Sequence, residues 1–254
     1  MDERTYASLE SQLGNAACLC ADTEEMLALR QKNTYESQVQ LGNLLSGQYR
    51  FREAVEAYRL AEKAGTEDPM LYIRLGGAYL TLRYFEEAKK AYARSCMLSG
   101  NEKTAAFQMG IWNYLQGNYK EATEAFSDVL PCEDEMKIVI LYWNMICSIR
   151  GKLPNPWKDM YQEEMQVGHH TAYLTAVKVF LGKLSAHAAL EEARQDQDDL
   201  NAVIAMYGIA IGLEACGEKE AAEETRKLLL QRRSVWPCIS YLAAWNDIKR
   251  EKGS

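Results

Sequence analysis

Apolar and polar residues between positions 35 and 136 follow a pattern that returns every 34 residues. A bulky–small pair recurs as Leu41-Gly42, Leu75-Gly76 and Met109-Gly110. A small residue recurs as Ala54, Ala88 and Ala122. Aromatic residues recur as Tyr58, Tyr92 and Phe126, and again as Phe51, Phe85 and Tyr119. The pattern predicts one pair of helices per period, with the glycines in the first helix and the alanines in the second. A glycine inside a helix costs about 1 kcal/mol relative to alanine, so its recurrence calls for close helix contact. Gly76 is expected to face Ala88 at that contact, with the bulky residues filling the surrounding space. The helix breaks agree with this reading. Asp68-Pro69 reads as an N-cap followed by proline at the first helical position, and Gly117-Asn118 reads as a turn between helices.

A helix–turn–helix unit of this period resembles the tetratricopeptide repeat. The resemblance is clearest over 35–136, as three repeats beginning near Tyr35, Pro69 and Lys103. It implies an all-α, right-handed superhelical solenoid of antiparallel helix pairs, expected as a single array over 1–254. Residues 1–34 are expected to cap one end, with an irregular helical pair over 4–32. Residues 137–234 read as degenerate repeats. In the fourth repeat Trp143 keeps the bulky column, but Asn144 replaces the glycine and Pro156 occupies the alanine column. Its first helix is placed at 137–150, and a turn over 151–156 ends with Asn155 capping a second helix. Further pairs are placed at 171–181 with 185–194, Ser185 being the N-cap, and at 202–216 with 218–232. A final helix over 236–249 caps the other end, within 235–254.

The resemblance implies ligand binding in a concave groove lined by the first helix of each pair. The groove positions are Val39, Gln40 and Asn43, then Ile73, Arg74 and Gly77. Phe107, Gln108, Ile111 and Tyr114 follow, and then Leu141, Tyr142 and Met145. The spacing of Phe107 and Ile111, and of Leu141 and Met145, puts each pair on one helix face. The Lys/Asn/Arg clamp that family members use on chaperone C-terminal tails is represented only by Asn43, with Val39 and Thr104 where lysines belong. The implied partner is a protein or peptide, bound by an adaptor or scaffold. The same groove would serve a peptide sensor or holding chaperone. It could equally be filled by another part of the chain or by a second copy, as a homo-oligomer. If the register were shifted, these residues would be ordinary core.

Composition narrows the partner class. The net charge of −7 and a pI near 5.2 disfavour nucleic acid and anionic lipid. The exception is a basic cluster of Arg226, Lys227, Arg232, Arg233, Lys249, Arg250 and Lys252, whose simpler role is to complement helix C-termini. Seven cysteines, an odd number, suit a reducing cytoplasm. The start, MDERTYASLESQLG, lacks the basic segment and apolar run of a secretory signal. No stretch reaches the apolar length of a membrane span. No enzyme, cofactor or metal is expected. Cys18-x-Cys20 lacks a second ligand pair, and His169-His170, placed at a helix start, should diverge. Acidic runs at 133–135 and 196–199 read as helix-start charge.

Overall fold

In the computed structural model, residues 21–65 and 67–252 are described, with side chains as far as Lys249. Cys18, Cys20 and most of the expected N-terminal capping pair lie outside these residues. The described chain is all-helical, and no strand occurs in it. Consecutive helices pack as pairs, the arrangement of a helical repeat protein. The chain divides into two compact units, one up to Trp112 and one from Asn113.

The first unit contains α1 (Glu24–Lys32), α2 (Tyr35–Gly47), α3 (Phe51–Lys63), α4 (Pro69–Thr81) and α5 (Phe85–Ser99), and then enters α6 (Ala106–Gln116). The first helices of the first two repeats begin at Tyr35 and Pro69, as the spacing predicts. Local chemistry fixes both starts. Thr34 and Ser37 form a reciprocal capping box, with Ser37 N donating to Thr34 Oγ1 at 3.2 Å and Thr34 N to Ser37 Oγ at 2.8 Å. Asp68 accepts from Met70 N at 2.8 Å, directly before Pro69. Its other oxygen accepts from Tyr35 OH at 2.6 Å, tying the start of α2 to the start of α4. The second helices begin at Phe51 and Phe85, each preceded by a left-handed residue, Tyr49 at φ 62° and Arg83 at φ 69°. These turn residues obey the same period, as does Gly117 at φ 85°.

The side chain nearest Gly76 is that of Tyr92, not Ala88. A Cβ on Gly76 would meet the Tyr92 ring at 2.3 Å, and one on Gly42 would meet the Tyr58 ring at the same distance. The glycine therefore makes room for the aromatic of the following helix, and Ala88 is fully buried.

The second unit contains α7 (Tyr119–Ser127), α8 (Asp134–Gly151), α9 (Thr171–Phe180), α10 (Ala186–Gln195), α11 (Asp199–Ala215), α12 (Lys219–Leu229) and α13 (Ile239–Lys252). Helix α11 is its core: every residue from Ala202 to Leu213 is buried. A helix apolar on all sides must be surrounded, and α8, α9, α10, α12 and α13 do this. Gly208 and Gly212 allow the close approach of α9. Cβ atoms there would lie 2.4 Å from Ala176 Cβ and 2.8 Å from Val179 Cγ1.

The expected second helix of the fourth repeat is corrected. Only a short 3-10 turn, Pro156–Met160, stands there, and Asn155 makes no side-chain cap. The chain then passes through turns to α9. Ser185 caps α10 as expected, accepting from Ala188 N at 3.5 Å.

Candidate functional site

Within the first unit the period carries surface positions as well as core. Val39, Ile73 and Phe107 occupy one column, and all are half-buried. Beside them run Gln40, exposed, and Arg74 and Gln108, half-buried. Asn43 is exposed and Gly77 half-buried. The helix starts and the glycine–aromatic contacts shared by the first two repeats place Val39 with Ile73, Gln40 with Arg74 and Asn43 with Gly77 at equivalent positions, and Phe107 and Gln108 follow by the 34-residue spacing. Polar partners orient several of them. Gln40 Nε2 donates to Glu25 Oε1 at 2.6 Å, and Asn43 Oδ1 accepts from Tyr58 OH at 2.9 Å. Arg74 stands 3.9 Å from Asp68, a loose pairing that leaves the guanidinium reachable. Ile111, expected on the same face, is only 3% exposed.

The structure corrects the rest of the expected groove. Leu141, Tyr142 and Met145 have no exposed surface and Tyr114 almost none. Residues from α9, α11 and α13 close over them. Tyr142 makes edge contacts with Tyr173 at 5.0 Å and Trp143 at 5.1 Å. Its hydroxyl donates to Ile204 O at 3.1 Å and lies 3.3 Å from Ser240 Oγ. Burial raises its pKa well above the usual phenol value. The Tyr114 hydroxyl hydrogen-bonds Tyr207, which donates to Asp247 Oδ2 at 3.0 Å. In this unit the chain covers these residues with its own side chains.

The basic cluster is dispersed in the same way. Arg226 is buried, pairing with Glu214 and standing 3.6 Å from Asp247. Arg150 binds Glu214 at 2.8 Å and also pairs with Asp247. Arg232 is held by Asp199 at 2.7 Å and by the carbonyls of Arg194 and Asp196. Lys227 pairs with Glu223 at 2.5 Å, and Lys249 lies over the Trp245 ring at 4.6 Å.

Two clefts were not anticipated from the sequence. In the first unit, a cavity of about 380 Å³ has Tyr72, Leu75 and Tyr79 as its floor, with Arg59, Glu62, Glu87, Lys90 and Arg94 around it. The spacing of its three floor residues along α4 was the available signal. In the second unit, about 650 Å³ opens beside Arg150, Lys152, Glu214 and Lys219.

His169 and His170 stand at the start of α9 as expected, but their rings do not diverge. His169 lies in the turn before the helix and His170 at its N-cap, and the ring centroids are 4.1 Å apart. Burial, and then the neighbouring His169, lower the pKa of His170, while Glu135 opposes them.

No known family's sequence profile matches the chain. A stretch of 105 residues, 41% of the chain, is 27% identical to the peroxisomal targeting signal receptor of Kluyveromyces lactis. The match covers 19% of that protein's length. No helix among the described residues is long and apolar enough to cross a membrane.

Proposed function

We propose that the chain is a tetratricopeptide-type interaction protein that binds an extended polypeptide segment on the first-helix face of its first unit, acting as an adaptor rather than an enzyme. The observation that carries this reading is the pair of neighbouring columns there. The apolar line Val39–Ile73–Phe107 and the polar line Gln40–Arg74–Gln108 both keep accessible surface. Side chains of an extended ligand would rest on the apolar line, while the polar line engages its backbone and charged groups. The likeness to a protein named as a targeting-signal receptor supports recognition of a polypeptide signal. The free thiols of Cys96, Cys132, Cys147, Cys216 and Cys238 suit work in the cytoplasm.

The test is selection of binding peptides from a random display library with the full chain as bait, followed by affinity measurements on Ile73→Asp and Arg74→Glu. Loss of an anchoring contact costs about 2 kcal/mol, or about thirtyfold in affinity. That loss, with the melting temperature nearly unchanged, is the expected outcome. Selected peptides that bind both variants as well as the parent would refute the assignment.

A further inference from the structure

We propose that Glu135, His169 and His170 form a binding site for a transition-metal dication, Zn²⁺ being the ion that fits. The three side chains offer two imidazole nitrogens and a carboxylate oxygen, all within 4.8 Å of one another. Ligands of a tetrahedral Zn²⁺ lie about 2.0–2.2 Å from the ion, so the cluster needs to contract by roughly 1–1.5 Å. His169 and Glu135 are exposed and free to make that adjustment, while the half-buried His170 is steadied by the edge of the Tyr173 ring at 5.6 Å.

The loop that carries the histidines is anchored. Met165 and Val167 are buried, Gln166 N donates to Asp134 Oδ2 at 3.1 Å, and His170 N closes a turn onto Val167 O at 2.9 Å. Gly168 has a left-handed φ of 53°, and a Cβ there would sit 2.3 Å from Glu135 Oε1. The absence of a side chain thus lets the loop backbone lie against the carboxylate. Asp134 is engaged with Lys137 at 2.8 Å and leaves the ligand role to Glu135.

The chemistry selects the ion. Two imidazoles disfavour Mg²⁺ and Ca²⁺, which take oxygen ligands, and favour Zn²⁺ and its neighbours in the first transition row. Three protein ligands leave a fourth position for water or a partner's side chain. A bound ion would clip the loop before α9 to the start of α8.

The experiment is titration of Zn²⁺, and of Co²⁺ as its spectroscopic substitute, into the full-length reduced chain after chelator treatment. The expected result is one equivalent bound per chain, with Co²⁺ showing d–d absorption and no thiolate charge-transfer band. His169→Ala and Glu135→Gln change exposed side chains, so folding should be preserved, as circular dichroism would show. Each should weaken binding by at least about tenfold, and His187→Ala should leave it unchanged. No saturable binding, a thiolate band, or affinity indifferent to both ligand variants would overturn the assignment.

Discussion

The ring of Tyr92 lies over Gly76 so closely that a single added carbon on the glycine would stand 2.3 Å from Cε1. Tyr58 covers Gly42 in the same way one period earlier. Both repeats therefore pack by an aromatic of the second helix fitting a gap in the first. Tyr92 is almost fully buried, so its ring has little room to retreat.

Gly76→Ala should destabilise the protein. Overpacking typically costs about 1–3 kcal/mol, against a gain of about 1 kcal/mol in helix propensity. Gly77→Ala is the internal control: the neighbouring glycine lies in the same helix with nothing within 4 Å of its added carbon. Its melting temperature should hold or rise. Equal effects at the two positions would contradict the packing described.

Acid should weaken the first unit through one ion cluster. Arg50 binds Asp22 at 2.5 Å and Glu53 at 2.6 Å, and Arg30 binds the same two acids. Glu53 is held below the ordinary carboxylate range by Arg50 first and then Arg30. Asp22 is held down by Arg30 first and then Arg50. Depressed folded-state values mean that the stabilisation is complete above the unfolded carboxylate pKa of about 4. It is lost as pH falls through the folded values. Melting temperature should fall with acid below about pH 4–5, and Arg50→Gln should flatten that dependence. An identical acid profile in the variant would exclude the cluster as its source.

Asp247→Asn should be costly in the second unit. Asp247 faces Arg150, Arg226 and the Tyr207 hydroxyl and is 7% exposed. Removing one member of a buried ion pair typically costs about 3–5 kcal/mol, which urea unfolding would register as a lower midpoint. An unchanged midpoint would show that the network contributes little.

Two residues once placed on one groove should behave differently. Tyr142→Ala empties a site with no exposed surface, and large-to-small changes of buried aromatics cost about 3–5 kcal/mol. Phe107 is half-buried, so Phe107→Ala should lower the melting temperature much less. Comparable losses would indicate that Phe107 belongs to the core.

The contrast between Phe107 and Tyr142 shows what the sequence carries. Repeated residues disclose repeated neighbours, so the period marks the starts at Tyr35 and Pro69, and its aromatic column of Phe51 and Phe85 coincides with the starts of the second helices. The environment of Tyr142 comes from Tyr173, Ile204 and Ser240, segments that share no period with it. Nothing in the order of residues announced that they would cover it. Likewise the gap at Gly76 was legible as a close contact, but the alanine column looked like the natural complement to a glycine. The side chain nearest that gap is that of Tyr92. The histidines stand at the helix start that the sequence predicts, but ahead of the first helical turn adjacent side chains can converge.

The central claim is that a polypeptide ligand rests on the first helices of the first unit, while the second unit is closed by its own chain. Hydrogen exchange of the full chain, with and without a library-selected peptide, tests this most directly. The account predicts that added protection falls within Tyr35–Gly47 and Pro69–Thr81 and is absent when Ile73→Asp is used. Protection confined to α8, α9 or α11, or undiminished in Ile73→Asp, would contradict it.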